Sequence, residues 1–118
     1  MLRGGEVYTP DPCGQSDVWI TGDRIAAMTP GLGIVSPDLP HEEIDLEGLL
    51  VFPGFIDAHV HLTGGGGEGG PETRVPPVQF TSMTTSGVTT CVGVLGTDGT
   101  TRTVRDLVAT TLGMRRLG

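Results

Sequence analysis

Three side chains suited to acid–base or metal chemistry recur at alternate positions of one apolar segment. Asp57, His59 and His61 lie within residues 55–62, and the residues between them are apolar. Because side chains alternate across a strand, this spacing predicts a strand with one apolar face and one face bearing a carboxylate and two imidazoles. Two imidazoles on one face can bind a divalent cation through nitrogens about 2.0–2.1 Å away.

An ordinary hydrogen-bonded or exposed pair of histidines is the alternative interpretation. Buried imidazoles and a carboxylate without partners cost free energy, and a metal ion offsets that cost. We therefore favour a metal site with His59 and His61 as ligands. Asp57 lies deeper along the same face, where it would orient a ligand rather than bind the metal.

A run of glycines, Gly64 to Gly67, follows these residues directly and continues into Glu68. It is not a nucleotide phosphate-binding loop, because the chain contains no Lys. A flexible linker is one interpretation. The other is a binding loop, in which backbone N–H groups approach an anion while Glu68 pairs with a cation, as the zwitterionic end of a peptide requires. Thr97, after a second predicted strand, either adds a hydroxyl or N–H to this site or faces solvent.

The elements that must position these residues divide at residue 53. Residues 1–52 predict a small all-β unit, with a Gly/Pro-rich loop at 29–40 and strands at 6–9, 17–20, 24–28, 43–46 and 49–52. Gly22 supplies the positive φ that a tight hairpin needs between the second and third of these strands.

Residues 53–118 alternate strand and helix patterns. Strands are predicted at 55–62 and 89–95, the second of them buried, and helices at 78–86 and from Thr103 onward. Gly87 would end the first helix, and Thr103 with Asp106 has capping-box spacing. The segment 64–71 is predicted to be neither helix nor strand. This order predicts an α/β fold with two β/α units of a parallel sheet, whose strands carry active-site residues at their carboxyl ends.

Composition and charge exclude several classes of protein. The 118 residues carry 14 acidic side chains against 7 basic ones, a net charge of −7, which argues against nucleic-acid or anionic-membrane surfaces. No apolar stretch approaches the roughly 18 residues that span a bilayer. Two distant cysteines make no disulfide framework, so we expect a reduced, cytoplasmic protein. The length is below the roughly 250 residues of a complete α/β barrel.

Two longer motifs carry a family resemblance. Residues 53–61, PGFIDAHVH, resemble the first-strand signature of the amidohydrolase superfamily. The continuation HLTGGGGEGGPETRVP at 61–76 resembles the isoaspartyl (β-aspartyl) dipeptidase family more specifically, as do GVTT at 87–90 and VLGTD at 94–98. The resemblance covers nearly the whole chain and loosens before residue 50 and in the last dozen residues.

The resemblance implies a (β/α)₈ barrel with a binuclear zinc centre, preceded by part of a small β-sandwich domain, that hydrolyses β-aspartyl dipeptides. His59 and His61 would bind one zinc ion. Gly66, Gly67, Glu68 and Thr97 would contact a small peptide substrate, with Glu68 holding its α-ammonium group. A homo-oligomer of the full-length protein is also implied, with neither a nucleic-acid nor a membrane partner.

One departure from the family pattern is large. The family also uses a carboxylated lysine, two later histidines and an aspartate as ligand and base, yet this chain has no Lys and its other histidine, His41, lies upstream. We therefore expect an amino-terminal part of such an enzyme, inactive alone, with no catalytic base of its own. The alternatives are another amidohydrolase, dihydroorotase-like or deacetylase-like, and a non-catalytic remnant that binds zinc weakly.

Overall fold

The computed structural model describes residues 1–31, 33, 36 and 38–118. Part of the predicted loop 29–40 therefore lies outside the described residues. The chain divides into two compact units, Met1–Pro53 and Gly54–Gly118. The first unit is all β and the second is mixed α/β, so the protein as a whole belongs to the mixed α/β class.

The first unit is a five-stranded sheet. Three antiparallel strands form its body, and two short strands pair parallel with the first of these. The hairpin between the second and third strands turns at Gly22, whose φ of 61° matches the predicted positive value. The strands are β1 Leu2–Tyr8, β2 Pro12–Thr21, β3 Arg24–Pro30, β4 Ile44–Asp45 and β5 Leu50–Val51.

The second unit contains the predicted sequence of strand, helix, strand and helix. Strand β6, Phe55–Val60, pairs parallel with β9, Val88–Gly93. Helices α1, Phe80–Thr85, and α2, Val104–Leu117, follow the two strands. Among the described residues, neither helix is long and apolar enough to cross a membrane.

The helix ends obey the predicted local rules. Gly87, just after α1, has a φ of 78°, a left-handed conformation that glycine adopts without steric cost. The Thr103 hydroxyl accepts a hydrogen bond from the Asp106 N–H at 3.2 Å, which caps the first turn of α2. These contacts fix where each helix begins and ends, and therefore where the loops leave the parallel strands.

The glycine-rich segment is more regular than expected. Gly65–Gly66 forms strand β7, which pairs antiparallel with β8, Arg74–Val75, around a short 3₁₀ turn at Pro71–Thr73. The prediction that 64–71 contains no strand is therefore wrong. Pairing with β8 provides hydrogen-bond partners for backbone N–H and C=O groups of these glycines. The low strand propensity of glycine does not predict this pairing, because the partner strand lies further along the chain.

The apolar side chains of the two parallel strands are largely exposed in this structure. Ile56 is 72% exposed, Phe55 59% and Val92 51%, so the expectation of a buried second strand is wrong for the chain as it stands. The physical reason is that, among the described residues, β6 and β9 pair only with each other. Strands of parallel sheets ordinarily have both faces covered.

We therefore expect the isolated 118-residue chain to self-associate, because exposed strand edges and apolar faces template further pairing. Sedimentation velocity should give a mass well above the monomer's 12.3 kDa. Replacing both Ile56 and Val92 with threonine should reduce this association. Replacing the exposed Leu39 of the first unit with threonine should leave the association unchanged. A monomer with a sharp two-state melt would contradict the prediction.

Candidate metal and substrate site

Two imidazoles lie side by side at the carboxyl end of β6. The ring centroids of His59 and His61 are 5.1 Å apart with the ring planes at 84°. His59 lies within the strand, and His61 follows it, where its carbonyl accepts from the Gly64 N–H in a turn. The strand therefore ends at Val60 rather than at the predicted Leu62.

The His61 ring has an unsatisfied polar atom. Among the described residues, its Nδ1 is buried and has no hydrogen-bond partner. Burial of an unpaired ring nitrogen costs free energy that a bound cation offsets. His61, with the exposed His59 ring beside it, thus fits a metal ion as one of two ligands among the usual four. Within the described part of the chain, no group of three or more His, Cys, Asp or Glu side chains could hold one.

Asp57 is connected to the histidines through the main chain. Its Oδ1 accepts a hydrogen bond from the His59 backbone N–H at 3.1 Å, and its side chain is exposed along β6. This contact stabilises the backbone that presents the His59 ring. The predicted role of Asp57 in orienting a ligand stays a prediction.

The glycine loop, defined as residues 63–70, is built against His61. A Cβ atom on the buried Gly65 would lie 3.3 Å from His61 Cδ2, a tight contact that would press on the ring. At Gly66 the φ is 63°, and a Cβ there would lie 2.4 Å from the Thr73 carbonyl oxygen. These close approaches favour a shaped binding loop over the flexible-linker interpretation, because Gly66 needs a conformation and a space that suit glycine and Gly65 packs closely on the His61 ring.

Glu68 and Thr97 meet across the ends of the two parallel strands. The Thr97 hydroxyl donates to Glu68 Oε1 at 2.5 Å, and both residues are exposed. This hydrogen bond is the main reason that the pKa of Glu68 lies below its ordinary value, and its own backbone N–H lowers it further. Charges on Arg102 and His61 act in the same direction. Glu68 is therefore an exposed, ionised acceptor suited to a cationic group.

Asp98 organises the loop that carries Thr97. It accepts hydrogen bonds from the backbone N–H groups of Thr100 and Thr101, each at 3.0 Å, and from the Thr101 hydroxyl. These bonds lower the pKa of Asp98 to about 2, and Arg74, with its Nε 3.4 Å from Asp98 Oδ2, contributes less. The loop thus has a defined shape from local bonds, which the sequence prediction had not included.

Arg102 is the main residue that sequence reasoning missed. It lies between the predicted strand at 89–95 and the predicted helix that starts at Thr103, yet it is only 4% exposed and donates to carbonyl groups of the glycine loop. Arginine is rarely buried unless paired. The one available signal was its position just before the Thr103 cap, in the loop that follows the second parallel strand. From there its side chain can reach the glycine loop that follows the first parallel strand.

Comparisons with known proteins identify the family of this chain. A family model described as Amidohydrolase family matches residues 42–105. A D-aminoacylase from Alcaligenes xylosoxydans xylosoxydans is 40% identical over 63 residues, covering 52% of this chain and 12% of that protein. A dihydroorotase from Macrococcus caseolyticus is 37% identical over 68 residues, covering 58% and 15% respectively.

Two solved structures match the fold of nearly the whole chain. Both are β-aspartyl dipeptidase from the thermophilic keratin-degrading Fervidobacterium islandicum AW-1, one of them in complex with β-Asp-Leu dipeptide. Each gives a TM-score of 0.83 over 99% of this chain, at 40% and, for the complex, 43% identity. The chain spans 32% and 29% of those two chains, and 12–15% of the two curated relatives. By its family model and these neighbours, the chain belongs to the amidohydrolase family.

Proposed function

We propose that the complete protein, meaning this chain together with the later strands of a (β/α)₈ barrel, hydrolyses β-aspartyl dipeptides with the help of bound zinc. Residues 53–118 would be the first two β/α units, and residues 1–52 part of a small β-sandwich domain. The observation that carries the proposal is the exposed Glu68 carboxylate, held by the Thr97 hydroxyl beside a glycine loop that packs on His61.

His59 and His61 are the two residues of this chain that would hold one zinc ion of a binuclear centre. Bound zinc supplies Lewis acidity toward the scissile carbonyl and lowers the pKa of its water to about 7. The remaining ligands, a bridging carboxylated lysine among them, and the catalytic base would come from later strands. The chain alone is therefore proposed to be inactive, because two imidazoles leave the coordination incomplete.

The other site residues of this chain would bind the substrate rather than act on it. Glu68 would accept hydrogen bonds from the α-ammonium group of the β-aspartyl residue. The backbone of Gly66 and Gly67 would lie close to the substrate because neither has a side chain, and Thr97 would keep the Glu68 carboxylate in place. A charge-assisted hydrogen bond of this kind is stronger than a neutral one and gives direction to binding.

Another amidohydrolase reaction is the second candidate function. It is favoured by the curated relatives, which include a dihydroorotase and a D-aminoacylase at 37–40% identity over the segment with the histidines. Against it stands Glu68, whose exposed negative charge suits a substrate with a free ammonium group. A substrate without that group would form no charge-assisted hydrogen bond with the Glu68 carboxylate.

A direct assay distinguishes the two functions. The complete protein, loaded with zinc, is compared on β-Asp-Leu, α-Asp-Leu and dihydroorotate. Turnover of β-Asp-Leu that is lost with a chelator and restored by zinc supports the proposal. Turnover of dihydroorotate alone would replace it with the second candidate.

The acid limb of the pH–activity profile should depend on Thr97. Because the Thr97 hydrogen bond lowers the pKa of Glu68, the carboxylate stays charged, and binds ammonium, to lower pH than usual. Thr97→Val should raise that pKa, so that kcat/KM for β-Asp-Leu is lost at a higher pH during acidification. Thr100→Val, whose side chain is exposed in the same loop, is the matched control. An identical acid limb in Thr97→Val would contradict the assignment.

A further inference from the structure

The guanidinium of Arg102 joins the two loops that carry the substrate-binding residues. Its Nη2 donates to the Gly65 carbonyl at 2.7 Å, and its Nη1 to the Gly66 carbonyl at 3.0 Å. Its Nε donates to the Thr63 carbonyl at 3.3 Å. One side chain thus holds three nearby carbonyls of the glycine loop, from a position 36–39 residues further along the chain.

The positive charge is compensated from the other side. Nη1 lies 3.9 Å from Asp98 Oδ2, and the Asp98 side chain is itself only 12% exposed. Asp98 is in turn held by the backbone N–H groups of Thr100 and Thr101. Carbonyl dipoles and a carboxylate together offset the desolvation of the guanidinium, which is otherwise costly. Arg102 is therefore anchored in its own loop while it binds the glycine loop.

The geometry needs arginine and not merely a positive charge. A guanidinium presents five donors in a planar fork, whereas the lysine ammonium is a compact point charge with three donors. The three carbonyl groups accept from three different nitrogens of the planar guanidinium. A single ammonium group cannot reach all three. Arg102→Lys therefore keeps the charge and removes the arrangement.

We propose that Arg102 is a positioning residue for substrate binding, which holds the glycine loop so that Glu68 stays beside Thr97 and Gly65 stays against the His61 ring. Gly65 and Gly66, whose carbonyls it binds, lie three and two residues upstream of Glu68 in the chain. Fixing their backbone fixes both the ring contact and the direction of the carboxylate. The role in substrate binding rests on the proposed function, whereas the hold on the loop rests on these contacts alone.

Amide hydrogen exchange tests the hold on the loop. In the complete protein, Arg102→Lys should speed exchange across residues 64–70 about tenfold, because bonds that restrain this backbone are lost. Arg105→Lys makes the same change at an exposed position of α2. In this control, exchange across residues 64–70 should stay within about twofold of that in the unchanged protein. Loop exchange that is equally slow in Arg102→Lys would overturn the proposal.

Steady-state kinetics test the role in binding. Arg102→Lys should raise KM for β-Asp-Leu about tenfold, with kcat within about threefold and bound zinc unchanged. Arg102 is proposed to act through the contact between Glu68 and the substrate ammonium. Combining Arg102→Lys with Glu68→Gln should therefore give a KM close to that of Glu68→Gln alone. Fully additive effects, or a fall in kcat without a change in KM, would show that Arg102 does not act through Glu68 and would overturn this role.

Two further results separate the possible failures. If the complete protein does not hydrolyse β-Asp-Leu, the proposed function is wrong, and the exchange experiment still decides whether Arg102 holds the loop. If Arg102→Lys does not fold, Asp98→Asn takes its place, since it removes the negative charge beside Arg102 Nη1 and Arg74 Nε while keeping an oxygen that can accept from the backbone of its own loop. It should speed loop exchange about two- to threefold, and unchanged exchange would reject the proposal.

Discussion

Replacing Glu68 with glutamine in the complete protein is expected to lower kcat/KM for β-Asp-Leu about a hundredfold, mainly through KM. Glutamine keeps the volume of the side chain and an oxygen that can accept from the Thr97 hydroxyl. It removes the negative charge that would face the substrate ammonium, and hydrogen bonds to charged groups contribute about 1.5–3 kcal/mol. Bound zinc should be unchanged, because Glu68 is not one of the proposed ligands.

Glu72 provides the matched control for this experiment. It is an exposed glutamate in the 3₁₀ turn of the same glycine-rich region, so Glu72→Gln makes the same change of charge nearby. Its kinetics should stay close to those of the unchanged protein. Equal losses in both variants would mean that the charge of the loop as a whole matters, and that Glu68 has no specific role in binding ammonium.

Replacing His61 with asparagine in the complete protein is expected to lower both its zinc content and its activity. The substitution removes the ring whose buried Nδ1 has no partner among the described residues. A metal ion contributes several kcal/mol of transition-state stabilisation, so kcat should fall about a thousandfold or more. Elemental analysis after dialysis and turnover of β-Asp-Leu, with and without added zinc, measure the two effects.

His41 is the control for the loss of a histidine. It lies in the first unit, where its Nδ1 is 2.7 Å from the Leu39 carbonyl oxygen and its ring packs beside Trp19. His41→Asn should leave zinc content and kcat unchanged. A His61→Asn protein that retains full zinc and full activity would remove His61 from the metal site.

Local patterns predicted the elements that carry the site. The alternation of Asp57, His59 and His61 with apolar residues predicted β6, because the side-chain period of a strand is two. The Thr103 cap, its Asp106 partner and the turn at Gly87 were also predicted correctly, since each depends on residues three or four positions apart. The predicted ends of the strands were less accurate. Strand β6 ends at Val60 because the Gly64 N–H donates a hydrogen bond to the His61 carbonyl and forms a turn there.

What the residue order determined, then, was which segments become strands and helices, which residues share a face of β6, and which family the chain resembles. Tertiary structure alone decided that Glu68 meets Thr97, 29 residues away, and that Arg102 is buried against carbonyls 36–39 residues away. It also decided that Gly65–Gly66 becomes a strand and that the apolar faces of β6 and β9 stay exposed. The physical reason is that propensities and caps act within one or two turns of chain, whereas these contacts exist only after β6 and β9 have paired in parallel and brought their following loops to one edge.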